Sequence, residues 1–114
     1  MKKIEAVIPT ARLDKAFTAL KELNLGGLTY YDTKGRGEIP RPEVHGSRGT
    51  TTFRPAFNMN STIVIVVNEA MVDKVVEKLL SSTSTGIKGE GKIFVSDIDD
   101  AVDIGSKVRG EKAI

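Results

Sequence analysis

Apolar and polar residues alternate from Lys3 to Ile8, with Ile4, Ala6 and Ile8 on one face, and this period of two predicts a strand. The period then changes. Leu13, Ala16, Phe17, Leu20 and Leu23 recur at helical spacing, Thr10 stands where a helix cap would, and Gly26-Gly27 closes the segment. "LTYYDTK" (Leu28–Lys34) is rich in β-formers and predicts a second strand. "TIVIVV" (Thr62–Val67) is continuously apolar, as an interior strand would be. Asn68 then stands as the cap of a second helix, in which Met71, Val72, Val75, Val76, Leu79 and Leu80 form a stripe two residues wide. "KIFVS" (Lys92–Ser96) predicts the fourth strand.

The order β-α-β-β-α-β is that of a ferredoxin-like α+β domain with an antiparallel four-stranded sheet, spanning 1–114 as one unit. Right-handed crossovers put both helices on the same face. Val7 and alternate residues of "TIVIVV" then line the other face, an apolar patch larger than a monomer usually exposes. A homo-oligomer that covers this face is the economical expectation.

One stretch interrupts this order. From about Gly35 to Asn60 no period is legible, and Gly35, Gly37, Pro40, Pro42, Gly46, Gly49 and Pro55 punctuate it. Loops of this length are usually functional or disordered. Between Lys34 and Phe57, Lys34, Arg36, Arg41, Arg48 and Arg54 face only Glu38 and Glu43, a local excess of three positive charges. A basic arm that reaches a partner accounts for it better than a tolerated surface insertion.

Composition removes several classes of function. The chain has no cysteine, so disulfides and thiolate metal sites are excluded. Without cysteine a Cys-His set is impossible, and the single histidine, His45, is assigned no metal role. A net charge of +2 gives no ground for nucleic acid, and with aromatics at 5% the interior strands offer only Phe94 for stacking on RNA bases. No run approaches the ~20 apolar residues of a membrane span. "MKKIEAVIPT" is too short and too charged for a signal peptide, and a cytoplasmic domain that meets membranes only through a partner is expected. An acylphosphatase-like enzyme would need a glycine-bearing phosphate loop by the first strand, and "VIPTARLD" has Arg12 without the glycines.

The densest chemical signal is "STGIKGEGKIFV" (Ser84–Val95). Read on its own, it serves equally as a glycine-rich turn before an edge strand or as an anion site. In the second reading the backbone N–H groups from Gly89 to Gly91 form a concavity, Lys92 adds a point charge and Lys88 assists.

Thr85, Gly89, Gly91 and "KIFV" fall in the spacing of the C-terminal signature of the PII signal-transduction proteins. "MKKIEAVI", "LDKAFTALKEL", "GLTYYDTKGRG" and the terminal "RGEKAI" resemble that family too, so the likeness covers nearly the whole chain. It implies a homotrimeric, non-enzymatic regulator of nitrogen metabolism with an ATP or ADP site in each cleft between subunits. It also implies a T-loop, here about 36–58, that contacts a target, commonly an ammonium transporter. The B-loop would span about 83–91 and the C-terminal segment about 98–114. Carried over by position, Thr29, Lys34, Gly35, Gly37 and Glu38 match the second strand and T-loop base, and Val66 the adenine-facing strand. Gly89, Glu90, Gly91 and Lys92 match the phosphate loop, with Glu90 in place of the family's aspartate. Arg48, in "SRG" (Ser47–Gly49), matches the arginine that enters the transporter pore.

Departures from the family shape the expectation further. Asp103 and Gly105 stand where two arginines would reach the nucleotide phosphates. Each lost charged hydrogen bond is worth about 1.5–3 kcal/mol, so ADP or AMP gains ground over ATP unless Arg36, Lys107 or Arg109 compensates. Glu38, Ile39 and Asn60 occupy the places of the residues that hold 2-oxoglutarate, and Thr52 replaces the tip tyrosine. Sensing of 2-oxoglutarate is therefore expected to be lost or rebuilt. The rival expectation is a trimeric scaffold without a nucleotide, or one that answers to another small effector.

Overall fold

The computed structural model describes residues 1–37, 44–45, 52–53 and 56–114, with residues 44, 45 and 53 in backbone only. Its elements run β1 (Lys2–Pro9), α1 (Leu13–Leu20), β2 (Thr29–Gly35), β3 (Val44–His45), β4 (Thr52–Phe53), β5 (Asn58–Val67), α2 (Val72–Thr83) and β6 (Lys92–Asp97). Four strands form an antiparallel sheet in the order β2-β5-β1-β6, and β3 pairs separately with β4. This is the ferredoxin-like α+β arrangement read from the period of the sequence, with "TIVIVV" on an interior strand and "KIFVS" on an edge.

The alternation in β1 decides where the core lies. Ile4, Ala6 and Ile8 are buried with Ile63, Ile65 and Val67 of β5 beneath Ala16 and Leu20 of α1 and Val75 and Leu79 of α2. All six strand positions are on one face, so both helices cover that face. Each fully buried aliphatic side chain stabilises the fold by about 1.5–3 kcal/mol.

Several local expectations need correction. Thr10 does not cap α1. It sits inside a 3₁₀ turn (Thr10–Arg12) that follows Pro9, and its hydroxyl pairs with that of the buried Ser61 at 3.0 Å. Ser61 Oγ in turn donates to Asp32 Oδ1 at 3.0 Å, so one hydroxyl ties β5, β2 and the start of the first helical segment together. The α-helical part of α1 ends at Leu20, short of Leu23, and Gly26 is not its stop. A Cβ on Gly26 would lie 2.9 Å from the carbonyl carbon of Ile114, so this glycine admits the C-terminus. Asn68 holds the cap position before a 3₁₀ turn (Glu69–Met71) but makes no side-chain cap bond.

The long irregular stretch is also shorter than expected. β2 runs through Gly35 and β5 begins at Asn58, where polar residues hid the strand.

The open face of the sheet is less uniformly apolar than its pattern suggests. Val7, Val64 and Val66 are half-buried at its centre, flanked by Tyr31 at 48% exposure and Phe94 at 54%. Among them Lys3 Nζ and a Glu5 carboxylate oxygen form an ion pair at 2.8 Å, and the hydrogen bond to Glu5 pushes the Lys3 ammonium above its ordinary pKa.

Candidate functional site

Register fixes which residues meet at each end of the sheet. At one end, called upper here, Pro9 lies opposite Asn60, Gly35 opposite Asn58 and Lys92 opposite Val7. The glycine-rich segment from Ser84 to Gly91 closes over this end. Gly91 has φ +112°, and a Cβ there would lie 2.8 Å from the Val7 carbonyl oxygen, so the loop rests backbone to backbone on β1. Only glycine tolerates both conditions.

The base of the long loop comes to the same place. A Cβ on Gly37 would meet the Gly89 carbonyl oxygen at 3.7 Å, and one on Gly35 would meet the Asn60 amide nitrogen at 2.5 Å. Gly35, Gly37, Gly89 and Gly91 therefore converge, although 52 sequence positions separate Gly37 from Gly89. Lys92 enters β6 on the open face, in register with the half-buried Val7, and is exposed. Exposed Arg36 adjoins Gly37.

Inside the loop the hydrogen bonds are few and long. Ser84 Oγ accepts from the Gly86 amide at 3.4 Å, Thr85 Oγ1 from the Ile87 amide at 3.2 Å, and the Glu90 amide donates to the Ile87 carbonyl at 3.4 Å. The Glu90 amide, one of the N–H groups expected to form a concavity between Gly89 and Gly91, is thus turned into the loop. What the site offers an anion is a glycine-lined approach to backbone, with Lys92 beside it.

The other candidate residues lie elsewhere. Thr29 pairs with Val64, and Val66 lies opposite Lys3 further down the open face. The C-terminal segment is anchored at the lower end: the Ile98 amide donates to the Met1 carbonyl at 3.1 Å, and Ile114 lies on Gly26. Six residues of β6 at ~3.4 Å each put roughly 20 Å between that anchor and the glycine-rich loop. Between its anchors the segment forms a tight hairpin, with Val102 bridged to Arg109.

Asp103 stabilises that hairpin. Its Oδ2 accepts from the Ser106 hydroxyl at 2.7 Å and from the Ser106 amide at 2.8 Å, which holds the carboxyl below the usual carboxylate range. Lys107 takes a left-handed φ of 65°, and Arg109 Nη1 donates to Asp100 Oδ2 at 2.9 Å. Arg109 is therefore already paired within its own segment. Glu38 and Arg48 lie outside the described residues. Among the described residues no group of His, Cys, Asp and Glu is arranged to hold a metal ion, and no helix is long and apolar enough to cross a membrane.

One feature was not foreseen from the sequence. The α2 stripe is split: Val75 and Leu79 are buried, whereas Leu80 is 51% exposed and, with Val76, faces a hollow of about 440 Å³ behind the glycine-rich loop. The signal was present in the stripe's width, since six apolar positions exceed what one packed face requires.

Comparison with known proteins places these features in a lineage. A family model described as nitrogen regulatory protein P-II matches residues 1–108. The chain is similar to the nitrogen regulatory protein P-II of Synechocystis sp., with 37% identity over 114 residues and all of both chains covered. Its similarity to the P-II protein of Rhodospirillum rubrum is 36% over 116 residues, again covering both chains in full. Nitrogen regulatory protein P-II 2 of Methanothermobacter thermautotrophicus is 36% identical over 115 residues, covering all of this chain and 97% of that one.

Proposed function

The chain belongs to the nitrogen regulatory protein P-II family, and from that premise we propose a non-enzymatic signalling protein of nitrogen regulation that binds an adenine nucleotide. The observation that carries this reading is the convergence of Gly35 and Gly37 with Gly89 and Gly91 beside Lys92 at the upper end of the sheet. Glycines there let a phosphate approach the backbone, and Lys92 supplies charge for it.

The remaining binding residues complete the site across subunits. Thr29, Val66 and the C-terminal segment do not meet the glycine-rich loop within one chain, because the segment is anchored about one strand length away. In a homotrimer that buries the open sheet face, the upper end of one subunit meets the lower part of the next. The half-buried valines with Tyr31 and Phe94 support that face as the contact surface. ADP or AMP suits the cleft better than ATP: Asp103 brings a carboxylate, Arg109 is paired with Asp100, and Lys107 is the hairpin cation with no ion pair among the described residues. The long loop, with Arg48, is the arm toward a target protein, and an ammonium transporter is the target the family resemblance favours.

Calorimetric titration with ADP tests the reading. Lys92→Ala should weaken ADP binding by about 1–3 kcal/mol through a lost charged hydrogen bond. Lys21→Ala, at the exposed end of α1, should leave binding unchanged. If the parent protein takes up no adenine nucleotide, or if both variants weaken it equally, the trimeric scaffold replaces this reading.

A further inference from the structure

We propose that the hollow between α2 and the glycine-rich loop is a second ligand site, one for a small organic carboxylate with an aliphatic body. Its walls come from α2 and the helix side of the sheet, and although Glu90, Gly91 and Lys92 also line it, a guest of this class goes beyond the nucleotide reading.

Its lining sets the chemistry. Ile8, Val76, Leu80, Ile87 and Ile93 give it aliphatic walls around about 440 Å³, within the range of small-molecule sites. Leu80 and Ile87 remain 51% and 58% exposed although they belong to the same hollow. Two large aliphatic side chains left half-solvated around one concavity lose hydrophobic stabilisation that an apolar guest would restore.

The polar groups at its rim favour an anion. Ser84 and Thr85 hydroxyl oxygens each accept a backbone N–H, which leaves their own hydrogens to donate outward. Lys88 adds an ammonium on the same loop. Glu90 also lines the hollow and opposes an anion, but the groups without an acceptor among the described residues, the Ser84 and Thr85 hydroxyls and Lys88, outnumber it. A guest with a carboxylate at one end and a hydrocarbon body fits both halves of this lining. A cation of the same shape would meet Lys88.

The probe is octanoate, titrated into the isotope-labelled full chain without nucleotide and followed by amide chemical shifts, with octylammonium and 1-octanol as controls. Saturable shifts confined to residues 76–93 are expected with octanoate, and weaker ones with octylammonium. Leu80→Glu, at a half-exposed position that folding tolerates, should reduce octanoate affinity at least about tenfold. Ile104→Glu, at a position 94% exposed on the C-terminal hairpin, should not change it. Lys88→Gln should weaken octanoate about tenfold and leave 1-octanol unaffected. The site is overturned if octylammonium binds as well as octanoate, if Leu80→Glu behaves like Ile104→Glu, or if Lys88→Gln leaves octanoate unaffected. It is overturned equally if the shifts centre on Tyr31 and Phe94 or never saturate. Because nucleotide is absent throughout, failure here leaves the ADP titration of Lys92→Ala standing on its own.

Discussion

The glycine-rich loop and the C-terminal hairpin are alike in composition and opposite in behaviour. Each is a tight reversal with left-handed residues, Gly86, Gly89 and Gly91 in one and Lys107 and Gly110 in the other, and each carries both signs of charge. The loop is pressed onto β1 at Gly91, yet its few internal hydrogen bonds are long. The hairpin stands in open space at Gly110 and satisfies itself: Asp103 binds Ser106, and Arg109 binds Asp100. Charge in a turn is available to a ligand only if the turn has not already used it. By that measure the hairpin's charges hold its own shape, whereas those of the loop have no ion pair among the described residues.

The largest effect should come from the two enclosed and open glycines. Gly91→Ala adds a left-handed penalty of about 1–2 kcal/mol to a backbone collision at Val7, and a loss of about 2–4 kcal/mol is expected in urea unfolding. Gly110→Ala has the same kind of φ but nothing within 4 Å of its Cβ, so about 1–2 kcal/mol is expected. Equal losses would erase the distinction between the two turns.

A smaller effect concerns the clasp beside the loop. Ser61→Ala removes a buried hydroxyl that bonds both Thr10 and Asp32, and should cost about 1–2 kcal/mol with no change in the loop's amide spectrum. A loop that shifts with it would show that the clasp, rather than Gly91, sets the loop's position.

Smaller again is the release of a paired cation. Asp100→Asn should free Arg109 and tighten ADP binding by about two- to fivefold, in keeping with the modest worth of an exposed ion pair. Weaker or unchanged binding would show that Arg109 has no part in the cleft.

The smallest effect is a matter of pH. Asp103 has its folded pKa lowered by its bonds to Ser106, so its contribution is complete above the ordinary carboxylate value of about 3.9 and is lost as pH falls through the folded value. Hydrogen exchange at the Ser106 amide should keep its protection through mildly acidic pH and lose it only below that range. Asp103→Ala should lack the protection at every pH. Loss of protection already near pH 6 in the parent would contradict the assignment.

Much of this architecture was legible because period carries burial. Ile4, Ala6 and Ile8 announced their face by alternation, and Val75 with Leu79 did so by helical spacing. The glycine signature pointed to the loop, but its spacing could not show that Gly37 would come to rest on it, since that contact is set by the β2–β5 register. Caps were misread for a different reason. Thr10 and Asn68 have the right chemistry for a helix start, but Ser61 claims the Thr10 hydroxyl and a 3₁₀ turn follows Asn68. The start of β5 was hidden because Asn58, Asn60 and Ser61 are polar, although backbone pairing needs no apolar side chain.

The anchoring of the C-terminal segment a strand length from the glycine-rich loop has a consequence for mixtures of defective chains. Take one chain crippled at its upper end, by Lys92→Ala, and another crippled at its lower end, by a change at Thr29. In the proposed homotrimer, with each cleft shared between neighbours, neither alone can make a cleft of parental affinity. When the two are mixed, every ring containing both kinds has a single junction at which an intact upper end meets an intact lower end. Such a ring regains one cleft and no more, whichever chain is in the majority. Two weakened proteins would thus recover some binding of parental affinity on mixing, with a ceiling set by the geometry of the circle.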